Sequence, residues 1–164
     1  MKKRYTLLLI SAWLILLFTA CAKQEIKQKV TPFENIPIAS AKSIEFTNYT
    51  IRSEHRELGR IKTVTKQQDM EAIIKYIKTL SCTESIGEIK NADYEISLRD
   101  GKDGIDGEIY TIILSKNRIC VYSYGTDKDH PDISMYDYKN PKLINELETV
   151  YKEINYKEVL MMRK

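Results

Sequence analysis

The stretch from Asp100 to Glu108 carries four side chains that could bind a metal ion. Carboxylates alternate there with glycines, and Ca²⁺ requires hard oxygen ligands on a backbone that can fold tightly. The carboxylates are Asp100, Asp103, Asp106 and Glu108. The spacing departs from an EF-hand, because Lys102 stands where a second oxygen ligand belongs and the sixth position is not glycine. Aspartate and glycine are also ordinary turn residues. The sequence therefore predicts a solvated turn, with these four carboxylates as weak metal candidates.

No other stretch of the sequence matches a motif of established catalytic chemistry. The chain contains no G-x-S-x-G elbow, Ser-x-x-Lys pair, P-loop, G-x-G-x-x-G turn or H-E-x-x-H helix. His130 stands among three aspartates, but the adjacent Pro131 and the mixed charge are typical of an exposed loop, and His55 is far away in sequence. The sequence therefore predicts no catalytic residue, cofactor or metal. A small hydrolase stays an alternative, because a catalytic triad can assemble from residues that are distant in sequence.

Cys82 and Cys120 are the two cysteines beyond residue 21. Neither belongs to a C-x-x-C pair or has a neighbouring histidine, so neither indicates a zinc site or a redox centre. A disulfide requires Cα atoms about 5.5 Å apart, and the linear spacing does not specify that distance. The two residues are therefore either a candidate disulfide or two buried free thiols.

The eleven tyrosines are the main oddity of the composition. Several lie in or near predicted strands, among them Tyr110, Tyr122 and Tyr124. Tyrosine supplies a large amphipathic contact area with few rotatable bonds, which suits protein recognition. Half-buried sheet positions also favour tyrosine. These three residues are therefore either a candidate binding face or ordinary sheet packing.

The first twenty residues have the pattern of a secretory signal. Three basic residues at positions 2–4 precede an apolar run from Leu7 to Phe18. Positive residues stay on the cytoplasmic side while an apolar run of this kind enters the bilayer. The run is shorter than the roughly twenty residues that a helix needs to span the hydrocarbon core. A cleaved signal over residues 1–20 therefore fits better than a permanent transmembrane anchor.

The segment Phe18-Thr19-Ala20-Cys21 resembles the lipobox of bacterial lipoproteins. Ala20 matches the small residue before the cysteine, whereas Phe18 departs from the pattern because leucine is usual there. The resemblance implies that the Cys21 thiol receives a lipid and that the peptide is cut before it. Two acyl chains such as palmitate, at about 0.8 kcal/mol for each buried CH₂ group, give stable anchoring. We therefore expect a cell-membrane protein, lipid-anchored and facing outside the cytoplasm.

The signal segment accounts for the net charge of the chain. The whole sequence has 26 Lys+Arg and 23 Asp+Glu, a formal net charge of +3. Removing residues 1–20 takes away three cations and no acid, so 23 residues of each sign remain. A neutral mature chain offers no electrostatic footprint for nucleic acid. We therefore expect the membrane, and no nucleic acid, as a partner.

The pattern of apolar residues predicts one α+β domain over residues 42–157. Alternating apolar residues predict strands, and apolar residues at helical spacing predict helices. The order is strand, strand, helix, three strands with an optional fourth, and a second helix. This order predicts an antiparallel sheet of about five or six strands with two helices packed on it. Residues 21–41 are expected to be the lipidated cysteine and a flexible tether, and residues 158–164 a tail.

The body of the chain, over about residues 42–156, is similar to small lipoproteins of uncharacterised function from Gram-positive bacteria. The resemblance rests on the order of the elements and on the stretch Asp-Tyr-x-Ile-x-Leu-x-Asp-Gly that ends at Gly101. It implies no catalytic residue. We expect a non-catalytic binding module for another envelope protein or a cell-wall component. The alternatives are a calcium- or small-ligand-binding lipoprotein that uses Asp100–Glu108, and a small envelope hydrolase.

Overall fold

A computed structural model describes residues 29–51 and 57–162, and over these ranges the chain forms nine strands and two α-helices. The strands are β1 (Lys29–Val30), β2 (Ser43–Asn48), β3 (Glu57–Val64), β4 (Cys82–Glu84), β5 (Tyr94–Arg99), β6 (Glu108–Leu114), β7 (Arg118–Ser123), β8 (Asp132–Tyr138) and β9 (Glu158–Met162). The helices are α1 (Gln67–Lys78) and α2 (Leu143–Glu153), with short 3₁₀ turns at Ile38–Ser40 and Gly104–Gly107. The predicted α+β class is confirmed, whereas five or six strands is an undercount. The predicted signal, Cys21 and His55 lie outside the described residues.

The strands form a single antiparallel sheet in the order β1-β4-β8-β7-β6-β5-β2-β3-β9. Strands β5 to β8 are neighbours both in sequence and in space and form an antiparallel meander, in agreement with the predicted antiparallel sheet. Short connections allow consecutive antiparallel strands to pair directly. Strands β2 and β3 then extend the sheet beyond β5, and the meander and this hairpin together form its centre.

Both helices pack on the same face of the sheet. Each presents one apolar stripe, and the buried residues are Met70, Ile73, Ile74 and Ile77 on α1 and Leu143, Leu147 and Tyr151 on α2. Tyr76 of α1 donates a hydrogen bond to Glu146 of α2 at 2.9 Å, which joins the two helices. The Tyr151 ring lies 5.2 Å from the ring of Phe46 on β2 and 6.4 Å from that of Tyr94 on β5. The main apolar core therefore lies between the helices and this face.

Residues 29–41, predicted as part of a flexible tether, pack against the domain. Strand β1 pairs with β4, and the side chains of Phe33 and Ile36 are 1% and 5% exposed. The Phe33 ring makes an edge contact with Tyr136 of β8, with 6.4 Å between centroids. The prolines at 32 and 37 prevent a regular helix here, but they do not prevent single apolar side chains from docking. The folded domain therefore includes residue 29.

The predicted tail over residues 158–164 contains the last strand instead. Strand β9 pairs antiparallel with β3, and Arg60 of β3 forms an ion pair with Glu158 at 3.2 Å. Strand β4, only three residues long, is also absent from the predicted order and pairs with β1 and β8. Segments this short carry too few residues to show a periodic pattern. Their strand conformation depends on neighbours that are distant in sequence.

Candidate functional site: the open face of the sheet

The face of the sheet opposite the helices is the candidate functional site, and we call it the open face. Side chains alternate between faces along a strand, so the strand registers identify its residues. One cross-strand row is Glu45, Ser97, Thr111, Tyr122 and Ile133, and the next is Thr47, Glu95, Ile113, Cys120 and Met135. The rows run from polar side chains on β2 and β5 to apolar side chains on β7 and β8. The open face therefore has a polar half and an apolar half.

The apolar half of the open face forms a groove of about 580 Å³. We call it the β6–β8 groove. Its lining consists of residues 87–90 and 92 from the connection between β4 and β5, and of five residues from the sheet: Ile113, Cys120, Tyr122, Ile133 and Met135. The connection is held at the groove's edge by Arg118, whose Nη1 donates to the carbonyl oxygen of Glu88 at 3.2 Å. Ile133 is 60% exposed, so apolar surface there faces solvent. A cavity with an apolar floor and a tyrosine wall is suited to holding an apolar group of a partner.

The sequence did not single out this groove, although one signal pointed toward it. Strand β6 carries apolar residues on both of its faces, which is typical of a strand covered on both sides. In the structure Ile112 faces the helices and is fully buried, whereas Ile113 lines the β6–β8 groove and is only partly buried. The second apolar face of β6 therefore forms part of the floor of an incompletely covered groove.

The polar half of the open face is a hydrogen-bonded network. Glu95 accepts a hydrogen bond from Tyr49 Oη at 2.8 Å and another from Ser97 Oγ at 3.2 Å. The hydroxyls of Ser97 and Thr111 lie 2.9 Å apart, and both residues are buried. Burial, followed by the charge of Glu95, raises the pKa of Tyr49 and keeps its phenol neutral. These polar groups satisfy one another, which is typical of a rigid surface.

The tyrosines of the predicted binding face divide between the two faces of the sheet. Tyr122 and Tyr124 share the open face, with ring centroids 6.4 Å apart and planes at 20°. Lys128 Nζ lies 5.9 Å from the centroid of the Tyr124 ring. Tyr110 pairs with Ser123 and therefore points to the helix-covered face, where it is 8% exposed. Burial raises the pKa of Tyr110 to about 12. The candidate face thus retains Tyr122 and Tyr124 and excludes Tyr110, because positions 122 and 123 have opposite orientations.

The Asp100–Glu108 segment folds around an arginine side chain. Arg99 Nη2 donates to the carbonyl oxygens of Lys102 and Gly104, and Arg99 Nη1 lies 3.6 Å from the Glu108 carboxylate. Lys102 forms an ion pair with Asp100 at 3.5 Å. Within residues 29–51 and 57–162, no three Asp, Glu, His or Cys side chains converge in a metal-binding arrangement. The weak metal candidates Asp100, Asp103, Asp106 and Glu108 are therefore not brought together, and the guanidinium group takes carbonyl oxygens that a cation would need.

The loop containing His130 is exposed, as the sequence predicts. His130 Nδ1 lies 2.9 Å from the Asp127 carboxylate, and the two side chains are 83% and 64% exposed. An imidazole and one carboxylate in solvent do not form a dry site in which charge interactions are strong. The contact is consistent with a surface turn.

Cys82 and Cys120 are both free and buried. Cys82 pairs with Tyr138 on the helix-covered face, whereas Cys120 pairs with Met135 on the open face. Strand β8 lies between their strands, which separates the strand axes by roughly 10 Å, beyond the reach of a disulfide. The candidate disulfide is therefore replaced by two thiols on opposite faces. Burial raises the pKa of Cys82 to about 11, so this thiol is a poor nucleophile.

Neither helix in the described part of the chain is long and apolar enough to cross a membrane. Comparison with protein-family models, curated proteins and solved structures finds no match. The geometry of the open face is therefore the structural basis for a functional proposal.

Proposed function

We propose that this chain is a lipid-anchored, extracytoplasmic binding module that holds an envelope protein against its open face. The observation that carries the proposal is the β6–β8 groove, an incompletely covered apolar cavity on the side of the sheet opposite the main apolar core. Apolar surface that remains exposed beside a tyrosine is the usual centre of a protein-binding site. The lipid on Cys21, inferred from the residues around it, would confine the domain near membrane partners.

The chemistry of the open face favours binding over catalysis. The carboxylate of Glu95 is engaged by two hydroxyls, and the Cys120 thiol in the groove floor has its pKa raised by burial. A nucleophile requires an adjacent base or a lowered pKa, and neither arrangement supports one in this groove. Tyr122 and the aliphatic floor instead offer a surface for an apolar side chain.

The anchor is tested by comparing the full-length wild type with Cys21→Ala in cells. The expected result is that wild type lacks residues 1–20 and carries a diacylglyceryl mass on the residue-21 peptide, and that Cys21→Ala lacks this mass. A wild-type residue-21 peptide without the diacylglyceryl mass would contradict lipid anchoring.

The binding surface is tested separately by placing a photo-crosslinking phenylalanine analogue at position 122 in intact cells. The matched control carries the same analogue at Lys75, an exposed position on α1. We expect one protein to crosslink from position 122 and not from position 75. Met135→Lys places a charge in the groove and should weaken that crosslink by about tenfold or more. Crosslinking to glycan strands instead would identify a cell-wall component, and equal products from both positions would contradict the proposal.

A further inference from the structure

The two edges of the sheet are protected to different degrees. Strand β1 at one edge has two residues and is followed closely by Pro32, which cannot donate to a neighbouring strand. Strand β9 at the other edge has five residues, and four of them are apolar. Long apolar edge strands invite pairing, and proteins usually blunt them with charge, proline or a short length. Strand β9 has none of these devices between Val159 and Met162.

Strand β9 also concentrates the exposed apolar surface of the domain. Of the six large hydrophobic residues that are exposed in the described ranges, three belong to this strand. Val159, Leu160 and Met162 are 55%, 48% and 45% exposed. Strand β3 is the only strand among the described residues that pairs with β9, so backbone groups on its outer side are available to a further strand.

We propose that the outer edge of β9 pairs antiparallel with β9 of a second copy of this chain. A twofold axis perpendicular to the sheet makes the interface self-complementary and closed, since each edge covers the other. Full overlap of the five residues places Leu160 opposite its own counterpart and Val159 opposite Met161. Apolar residues then face apolar residues along the central part of the seam.

The charges at the strand's beginning are compatible with this register. Antiparallel overlap puts Glu158 opposite Met162, so the two Glu158 carboxylates are about 14 Å apart, beyond one Debye length at physiological salt. Each Glu158 also has its own ion pair with Arg60 at 3.2 Å. A parallel arrangement would bring the two carboxylates together. Each copy uses its one β9 edge in this contact, so the twofold pairing ends at two copies.

The register is tested by single cysteines in the full chain expressed in cells. Leu160→Cys places two thiols opposite each other, with Cα atoms about 5 Å apart and within disulfide range. Ile86→Cys, at a position that is 95% exposed, measures random collision. Under a mild oxidant we expect at least about tenfold more disulfide-linked dimer from Leu160→Cys than from Ile86→Cys. Equal yields, or a crosslink from position 160 to a different protein, would overturn the proposal.

A charge exchange tests the same dyad independently. Two differently tagged copies are co-expressed, and one is purified through its tag. Leu160→Lys in both copies should reduce co-purification about tenfold, because like charges meet across the seam. Co-expression of a Leu160→Lys copy with a Leu160→Glu copy should restore co-purification, because opposite charges then meet across the seam. Leu160 is half exposed, so circular dichroism should show both variants folded; if either is not, the cysteine experiment decides. If the opposite charges do not restore co-purification, Leu160 does not face its own counterpart across a twofold axis and the proposal is refuted.

Discussion

Lys62 offers a test of how α2 is held on the sheet. Its side chain is 6% exposed, and Nζ donates to the carbonyl oxygens of Tyr151 and Ile154, each at 2.8 Å. Tyr151 lies in the last turn of α2, where carbonyl groups lack partners within the helix. The ammonium group also lies 4.7 Å from the centroid of the Tyr151 ring. Lys62 therefore caps the negative end of α2 from a strand.

Lys62→Met removes the charge while keeping a flexible side chain of similar length. Each hydrogen bond from a charged donor contributes about 1.5–3 kcal/mol, and the loss leaves two carbonyl groups without this donor. Part of this loss of stability is offset, because the thioether of methionine avoids the free-energy cost of desolvating a buried charge. We therefore expect the free energy of unfolding to fall by about 2–4 kcal/mol.

Urea unfolding of the full chain in mild detergent, followed by circular dichroism, measures this change. The single tryptophan is Trp13 in the predicted signal, so tryptophan fluorescence would not report on the core. With a denaturant slope of about 1.5 kcal/mol per molar, the midpoint should fall by roughly 2 M. Lys75→Met, the same change at an exposed position on α1, should alter stability by less than about 0.5 kcal/mol. An equally small effect for Lys62→Met would refute the capping role.

Three further predictions concern other parts of the fold. Gly107→Ala should destabilise the domain by about 2–3 kcal/mol in thermal melts, because an added Cβ would lie 2.0 Å from the Lys102 carbonyl oxygen. The control Gly125→Ala should be nearly neutral in the same melts, because no atom lies within 4 Å of its added Cβ. Phe33→Ala should cost about 3–5 kcal/mol in urea unfolding, and a negligible loss would mean that residues 29–41 do not contribute to the core. Burial raises the pKa of the Cys82 thiol to about 11, so this thiol should resist iodoacetamide at pH 8 in the folded chain. It should react once urea is added, and rapid labelling without urea would contradict its burial.

The predictable part of the fold comes from local periodicity. Met70, Ile73, Ile74 and Ile77 recur at helical spacing, and all four are buried on α1. Alternation along β5 is equally clear, and Tyr94, Ile96 and Leu98 are fully buried there. A residue's orientation within one helix or strand follows from backbone geometry alone. These patterns are therefore readable without knowing the rest of the chain.

The candidate site is less predictable because it depends on which faces are covered. Tyr110 and Tyr122 are both tyrosines in predicted strands, yet their positions on β6 and β7 face opposite sides of the sheet. The β6–β8 groove requires Ile113 and Met135 to share a face with a connection that crosses it. Composition does not contain that information, since two strands must first pair in a defined register.

Sequence patterns predict the α+β class, the two helices, an antiparallel sheet and a lipid anchor at Cys21. Each depends on a run of residues whose physical effect is local: periodic burial, or partition of an apolar segment beside basic residues. Only the folded chain shows that Phe33 packs into the core, that Cys82 and Cys120 are free on opposite faces, and that β9 lies at an edge of the sheet. Those features require contacts between residues far apart in sequence, and such contacts form only when the whole chain closes around its core.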